Sequence, residues 1–147
     1  MAIASVRWQQ NMKFRGEVSG HEVLMDATPP FGQHAHPTPK ELLLVSMSGC
    51  TAMDVVSLLK KHKQNMTDLE IKTEAQARSA QPQVFEMARI DFFVAGEVDS
   101  QILNEAIHLS LSKYCSVNAM LSKVVSLQWR SYINGREVGS GKAEFNL

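Results

Sequence analysis

Apolar positions along this chain change period several times, and each change marks an element. Val6, Trp8, Met12, Phe14, Gly16 and Val18 alternate loosely with polar neighbours. Ser19-Gly20 then supplies a tight turn, and His21 to Ala27 reads as the returning strand, so residues 5–27 are predicted to form a hairpin. Thr28 to Pro37, TPPFGQHAHP, is a loop by its Pro and Gly content. From Thr38 to Lys63 the period becomes helical. Thr38 suits the N-cap, Pro39 the first helical position and Glu41 the third, which makes a capping box, and Lys60, Lys61, His62 and Lys63 gather where cations complement the helix dipole. Between these ends Leu42, Leu43, Leu44, Val45, Met47, Met53, Val55, Val56, Leu58 and Leu59 point in nearly every direction around the axis. A helix apolar on so many sides is expected to be buried.

Strict alternation returns over residues 66–98. Leu69, Ile71, Thr73, Ala75 and Ala77 oppose Asp68, Glu70, Lys72, Glu74 and Gln76, SAQPQ turns the chain, and Val84 to Val98 is read as a long partner strand. Asp99 or Ser100 caps a second helix over 99–115, with Ile102, Leu103, Ala106, Ile107, Ser110, Leu111 and Tyr114 on one stripe. Ser116 is placed to cap a short turn through Leu121. Residues 124–133 read as the last strand, and the polar tail from Arg136 is expected to fold back or fray. Hairpin, buried helix, strand pair, helix and strand make an α+β fold, a single domain over 1–147 with antiparallel sheets packed on the long helix. That helix has more apolar perimeter than one sheet can cover, so two copies are expected to shelter each other's helices as a homodimer.

The bulk numbers restrict function more than fold. With 44% hydrophobic and 20% charged residues the chain has the composition of a globular protein, and its 15 basic and 15 acidic residues cancel. A zero net charge gives no reason to expect nucleic acid or an anionic membrane as partner. Ser46, Ser48, Gly49, Thr51 and Asp54 interrupt the apolar helix short of the ~20 residues a bilayer span needs. No basic segment followed by an apolar block opens the sequence, so a cytoplasmic location is expected. Two cysteines, Cys50 and Cys115, are too few for a disulfide framework. They are read as a nucleophilic thiolate with a partner thiol, or as two small buried hydrophobes. His21, His34, His36 and Cys50 do not have metal-ligand spacing, so no metal is expected.

PKELLLVSMSGCTAMDVVSLLKK, together with KYCSVNAML far downstream, resembles the OsmC/Ohr family of osmotically inducible and organic-hydroperoxide-resistance proteins. MKFRGEV and HEVLMDA place the chain nearer the family's less characterised OsmC-like branch, and the resemblance covers essentially the whole length. It implies an intertwined α+β homodimer with active sites at the subunit interface. The implied activity is a thiol peroxidase acting on small apolar hydroperoxides. Cys50 would attack the peroxide O–O bond and become a sulfenic acid, Cys115 would condense with it, and an external dithiol would reset the pair without any cofactor.

An active thiol must be a thiolate, which burial disfavours. Cys50 lies about three turns from the N-cap, too far for the helix dipole to help, and Asp54 at i+4 would oppose ionisation if it faces the sulfur. In the family an arginine after the first strand, held by a glutamate before the Cys helix, supplies a cation. The candidates are Arg15, with Lys13 as the other choice, and Glu41, because the position ten residues before Cys50 holds Lys40. Two further functions fit the same residues: a non-enzymatic protein holding a small apolar ligand, and a thiol redox sensor.

Overall fold

The computed structural model describes residues 1–147, which fall into two compact units, 1–43 and 44–147. The first unit is an antiparallel sheet of β1 (Ala4–Gln10), β2 (Lys13–Val18) and β3 (His21–Met25). Two strands were expected here and three form, because Asn11 adopts a left-handed φ of 51° and turns the chain between Trp8 and Phe14, which pair across it. Trp8 Nε1 donates to the Asn11 carbonyl at 2.8 Å and holds that turn closed. Ser19 (φ 51°) and Gly20 (φ 77°) make the second turn as expected. Every residue of β1 is exposed, so this sheet has little core of its own. The loop after β3 is organised by buried Asp26, whose carboxylate accepts the backbone N–H groups of Ala27 (2.8 Å), Gln33 (3.3 Å) and Ala35 (3.0 Å).

Helix α1 (Pro39–Lys61) starts in the first unit and continues into the second. Its capping box is formed: Thr38 N–H donates to Glu41 Oε2 at 2.7 Å, and Glu41 N–H donates to Thr38 Oγ1 at 3.2 Å. Burial differs from expectation. Within one chain only Met47, Thr51, Val55 and Leu59 are buried, a single i, i+4 stripe, while Val45 is 65% and Met53 75% exposed. By length and composition alone α1 could cross a membrane, a test that the core helix of a soluble protein also passes.

In the second unit β4 (Asn65–Ala77), β5 (Phe85–Glu97), β6 (Ser126–Ile133) and β7 (Arg136–Lys142) form one sheet in that order. The tail beyond Ile133 therefore folds back as a strand instead of fraying. β4–β5 and β6–β7 run antiparallel as expected, but β5 and β6 run parallel. The reason lies in the connection: α2 (Ser100–Leu109), a π-helical turn (Ser110–Tyr114) and α3 (Ser116–Leu121) carry the chain back to the starting end of β5, the crossover that a parallel pair requires. Asp99 caps α2 by accepting from Gln101 N–H at 2.9 Å and Ile102 N–H at 3.1 Å. Val55 and Leu59 of α1, Ile90 and Phe92 of β5, and Leu103, Ile107 and Leu111 of the crossover form the main core, which puts α1 and the crossover on the same face of the sheet.

Candidate active site

Both cysteines come from helix boundaries or helix faces whose geometry follows from their neighbours. Cys50 lies one residue from the buried Met47–Thr51–Val55 stripe of α1 and is partly exposed. Cys115 follows the π-helical turn, where its N–H donates to the Ser110 carbonyl five residues back at 2.9 Å. The wider turn ends the helical run and leaves Cys115 extended at φ −71°, ψ 97°. That makes Cys115, and not the expected Ser116, the N-cap of α3, with its sulfur accepting Asn118 N–H at 3.5 Å.

The two thiols meet. Both are free, and the Cys50 side chain lies close enough to that of Cys115 to act on its ionisation. Cys115 has no exposed surface. Burial pushes its thiol up from 9.0 to about 12; neighbouring Cys50 and the charge of Asp54 push the same way, and Asn118 N–H opposes them. A thiol so placed keeps its proton at neutral pH. It can therefore donate to the Cys50 sulfur, and the more exposed Cys50 is the sulfur that an incoming molecule can reach.

A short polar chain runs beside the sulfurs. Thr51 Oγ1 lies 2.8 Å from Ser110 Oγ, and Ser110 Oγ donates to Asp54 Oδ2 at 2.8 Å. Because the Ser110 proton is given to the carboxylate, Thr51 must be the donor in the first bond. Asp54 therefore does face the thiol pair, as its effect on Cys115 requires, with a hydroxyl balancing part of its charge. Asn118 lies on the other side of Cys115. Fully buried, it donates through Nδ2 to the Met47 carbonyl at 3.1 Å and to Cys115 Sγ at 3.1 Å, and its Oδ1 has no partner. Thr51, Ser110 and Asn118 were not singled out from the sequence. Each is a small polar residue inside a helical apolar pattern, and only the facing of the two helical segments brings them together.

An open groove of about 440 Å³ runs between α1 and β4, lined by Leu44, Val45, Ala52, Leu69 and Ile71, with Ser48 and Thr73 joined by a 2.6 Å hydrogen bond. Of the other candidates, Arg15 belongs to the first unit, where Nη1 pairs with Glu22 Oε1 at 3.0 Å across β2 and β3. Glu41 is held by the Thr38 N–H and by His34 Nε2, at 3.0 and 2.9 Å from its two oxygens, which keep its carboxyl below the usual carboxylate range. No three His, Cys, Asp or Glu side chains converge as a metal site.

The chain matches known proteins in sequence and in fold. Residues 32–130 match the model of the OsmC-like protein family, about two thirds of the chain. The chain belongs to the OsmC-like family. Within it, Protein YhfA of Escherichia coli (strain K12) is 39% identical over 126 residues, which cover 84% of this chain and 92% of the relative. A hypothetical protein from Aquifex aeolicus VF5 superimposes with a TM-score of 0.78 at 28% identity, over 91% of this chain and 98% of that one. The organic hydroperoxide resistance protein OhrB of Bacillus subtilis superimposes with a TM-score of 0.63 over 90% and 98%. At 13% identity that last likeness shows the OsmC/Ohr fold alone.

Proposed function

We propose that this OsmC-like protein is a thiol redox protein that reduces organic hydroperoxides. The observation that carries this reading is the closeness of a partly exposed Cys50 to a fully buried Cys115, whose proton it helps to hold. Cys50, as thiolate, attacks the distal peroxide oxygen. The O–O bond breaks, an alcohol leaves with a proton from solvent, and Cys50 becomes a sulfenic acid. Cys115 then loses its proton and attacks the Cys50 sulfur, water departs, and a disulfide joins the two. An external dithiol returns both to thiols by exchange. Organic hydroperoxide resistance in a relative of the same fold agrees with this chemistry, and the apolar groove on α1 suits a small apolar hydroperoxide. The working form in this reading is a cytoplasmic homodimer without cofactor. Arg15 and Glu41 are the family-type candidates for steadying the thiolate.

The test is consumption of cumene hydroperoxide with a dithiol as reductant. Wild type should turn over, Cys50→Ser should fall to the rate of the uncatalysed mixture, and Cys115→Ser, assayed without reductant, should consume one equivalent and leave a trappable sulfenic acid. Equal rates for wild type and Cys50→Ser would refute the assignment. A second reading, a carrier of a small apolar ligand, is favoured by the groove lined by Leu44, Val45, Ala52, Leu69 and Ile71. It requires a co-purified lipid in native mass spectrometry and a Cys50 inert to iodoacetamide at neutral pH.

A further inference from the structure

The Asn118 side chain is placed at a cost, and what it is aimed at suggests why. Its Nδ2 group splits its two protons between the Met47 carbonyl and Cys115 Sγ, both at 3.1 Å. The carbonyl accepts only, so it fixes which end of the amide faces inward; the reverse orientation would set two carbonyl oxygens against each other. In the observed orientation Oδ1 is buried without any partner, an arrangement that costs stability and is rare in folded proteins. The compensation is at the sulfur. Cys115 Sγ receives a side-chain N–H and, at 3.5 Å, the backbone N–H of the same residue. Hydrogen bonds of this kind are weak to a neutral thiol and strong to a thiolate.

We propose that Asn118 is the group that makes Cys115 usable as the attacking sulfur when the Cys50–Cys115 disulfide closes. The inference rests on reading the two cysteines as a redox pair, and it names a residue that this reading does not need. Closing the disulfide requires the Cys115 S–H bond to break, its electron pair to form the S–S bond, and a group on Cys50 to leave. Burial, Cys50 and Asp54 all hold the proton on Cys115. Cys50 and Asp54, both on α1, are the titratable groups that face it, and together with burial they oppose the step. Asn118 supplies the donors that favour it.

A chromogenic disulfide, 4,4′-dithiodipyridine, separates this step from peroxide chemistry. Cys50 attacks it and expels one thiopyridone. Cys115 then loses its proton to solvent, attacks the Cys50 sulfur and expels the second, so two thiols are oxidised and one dithiodipyridine is reduced. Wild type should release two equivalents in two phases, with the second phase accelerating as pH rises. In Asn118→Leu, which fills a similar volume without donors, the ratio of second-phase to first-phase rate should fall at least about tenfold. The rising limb of its pH profile should also move up by about one unit. Asn118→Ala, which cannot overpack the site, should show the same displacement. A merely structural role would not move the rising limb. An unmoved limb in both variants, or a single equivalent from wild type, overturns the proposal. Loss of hydroperoxide turnover in wild type with both thiopyridone phases intact would defeat the proposed function and leave Asn118 its role.

Discussion

Burial turns Cys115 into a thiol that holds its proton, and the consequence reaches to stability. Its folded value of about 12 lies above the 9.0 of an exposed thiol. The unfolded chain therefore gives up this proton first as pH rises, so the contribution to stability is complete below pH 9 and is lost towards pH 12. Thermal melts from pH 8 to 11 should show alkaline destabilisation that is smaller in Cys115→Ser; equal slopes would refute the assignment. At this scale the sequence was informative about the sulfurs and silent about their company. Cys50 and Cys115 stand in recognisable contexts, whereas Asn118, Ser110 and Thr51 are ordinary polar letters in a helical pattern. Their roles come from contacts between residues 56 to 71 positions apart.

Elements were legible where a local rule governs them. The Thr38–Glu41 box lies within four consecutive residues and formed as read. Thr38→Ala should lower stability by about 1 kcal/mol in urea unfolding, whereas a Ser replacement should retain most of it. Strand direction is a different matter. Alternation marks β5 and β6 as strands but is the same read forwards or backwards, so their parallel pairing depends on the helical crossover. The π-helical turn at Ser110–Tyr114 was hidden for a related reason. One extra residue in a turn barely disturbs an apolar stripe, yet it decides where Cys115 points and hence that its sulfur caps α3.

At the scale of the molecule, apolar surface remains where one chain cannot cover it. Val45, Met53, Met120 and Val124 of the second unit are each at least 65% exposed, the first two on α1, and exposed apolar surface of this kind marks interaction sites when it is contiguous. In the proposed homodimer a second copy laid against α1 would cover Val45 and Met53. Val45→Lys combined with Met53→Lys should weaken self-association at least about 100-fold, read as monomer by light scattering at micromolar concentration. A wild-type monomer under those conditions would exclude the homodimer.

Hydrophobic periodicity and capping act over a few residues, so the sequence by itself determined the long helix, most strands, the α+β class and the two candidate cysteines. Sheet direction, the single buried stripe of α1 and the meeting of Cys50 with Cys115 depend on which surfaces pack together. Each was settled only by packing between segments distant in sequence; Cys50 and Cys115 themselves are 65 positions apart. The polar neighbours of the thiol pair belong to that second group, because desolvation and donor placement exist only in the packed chain.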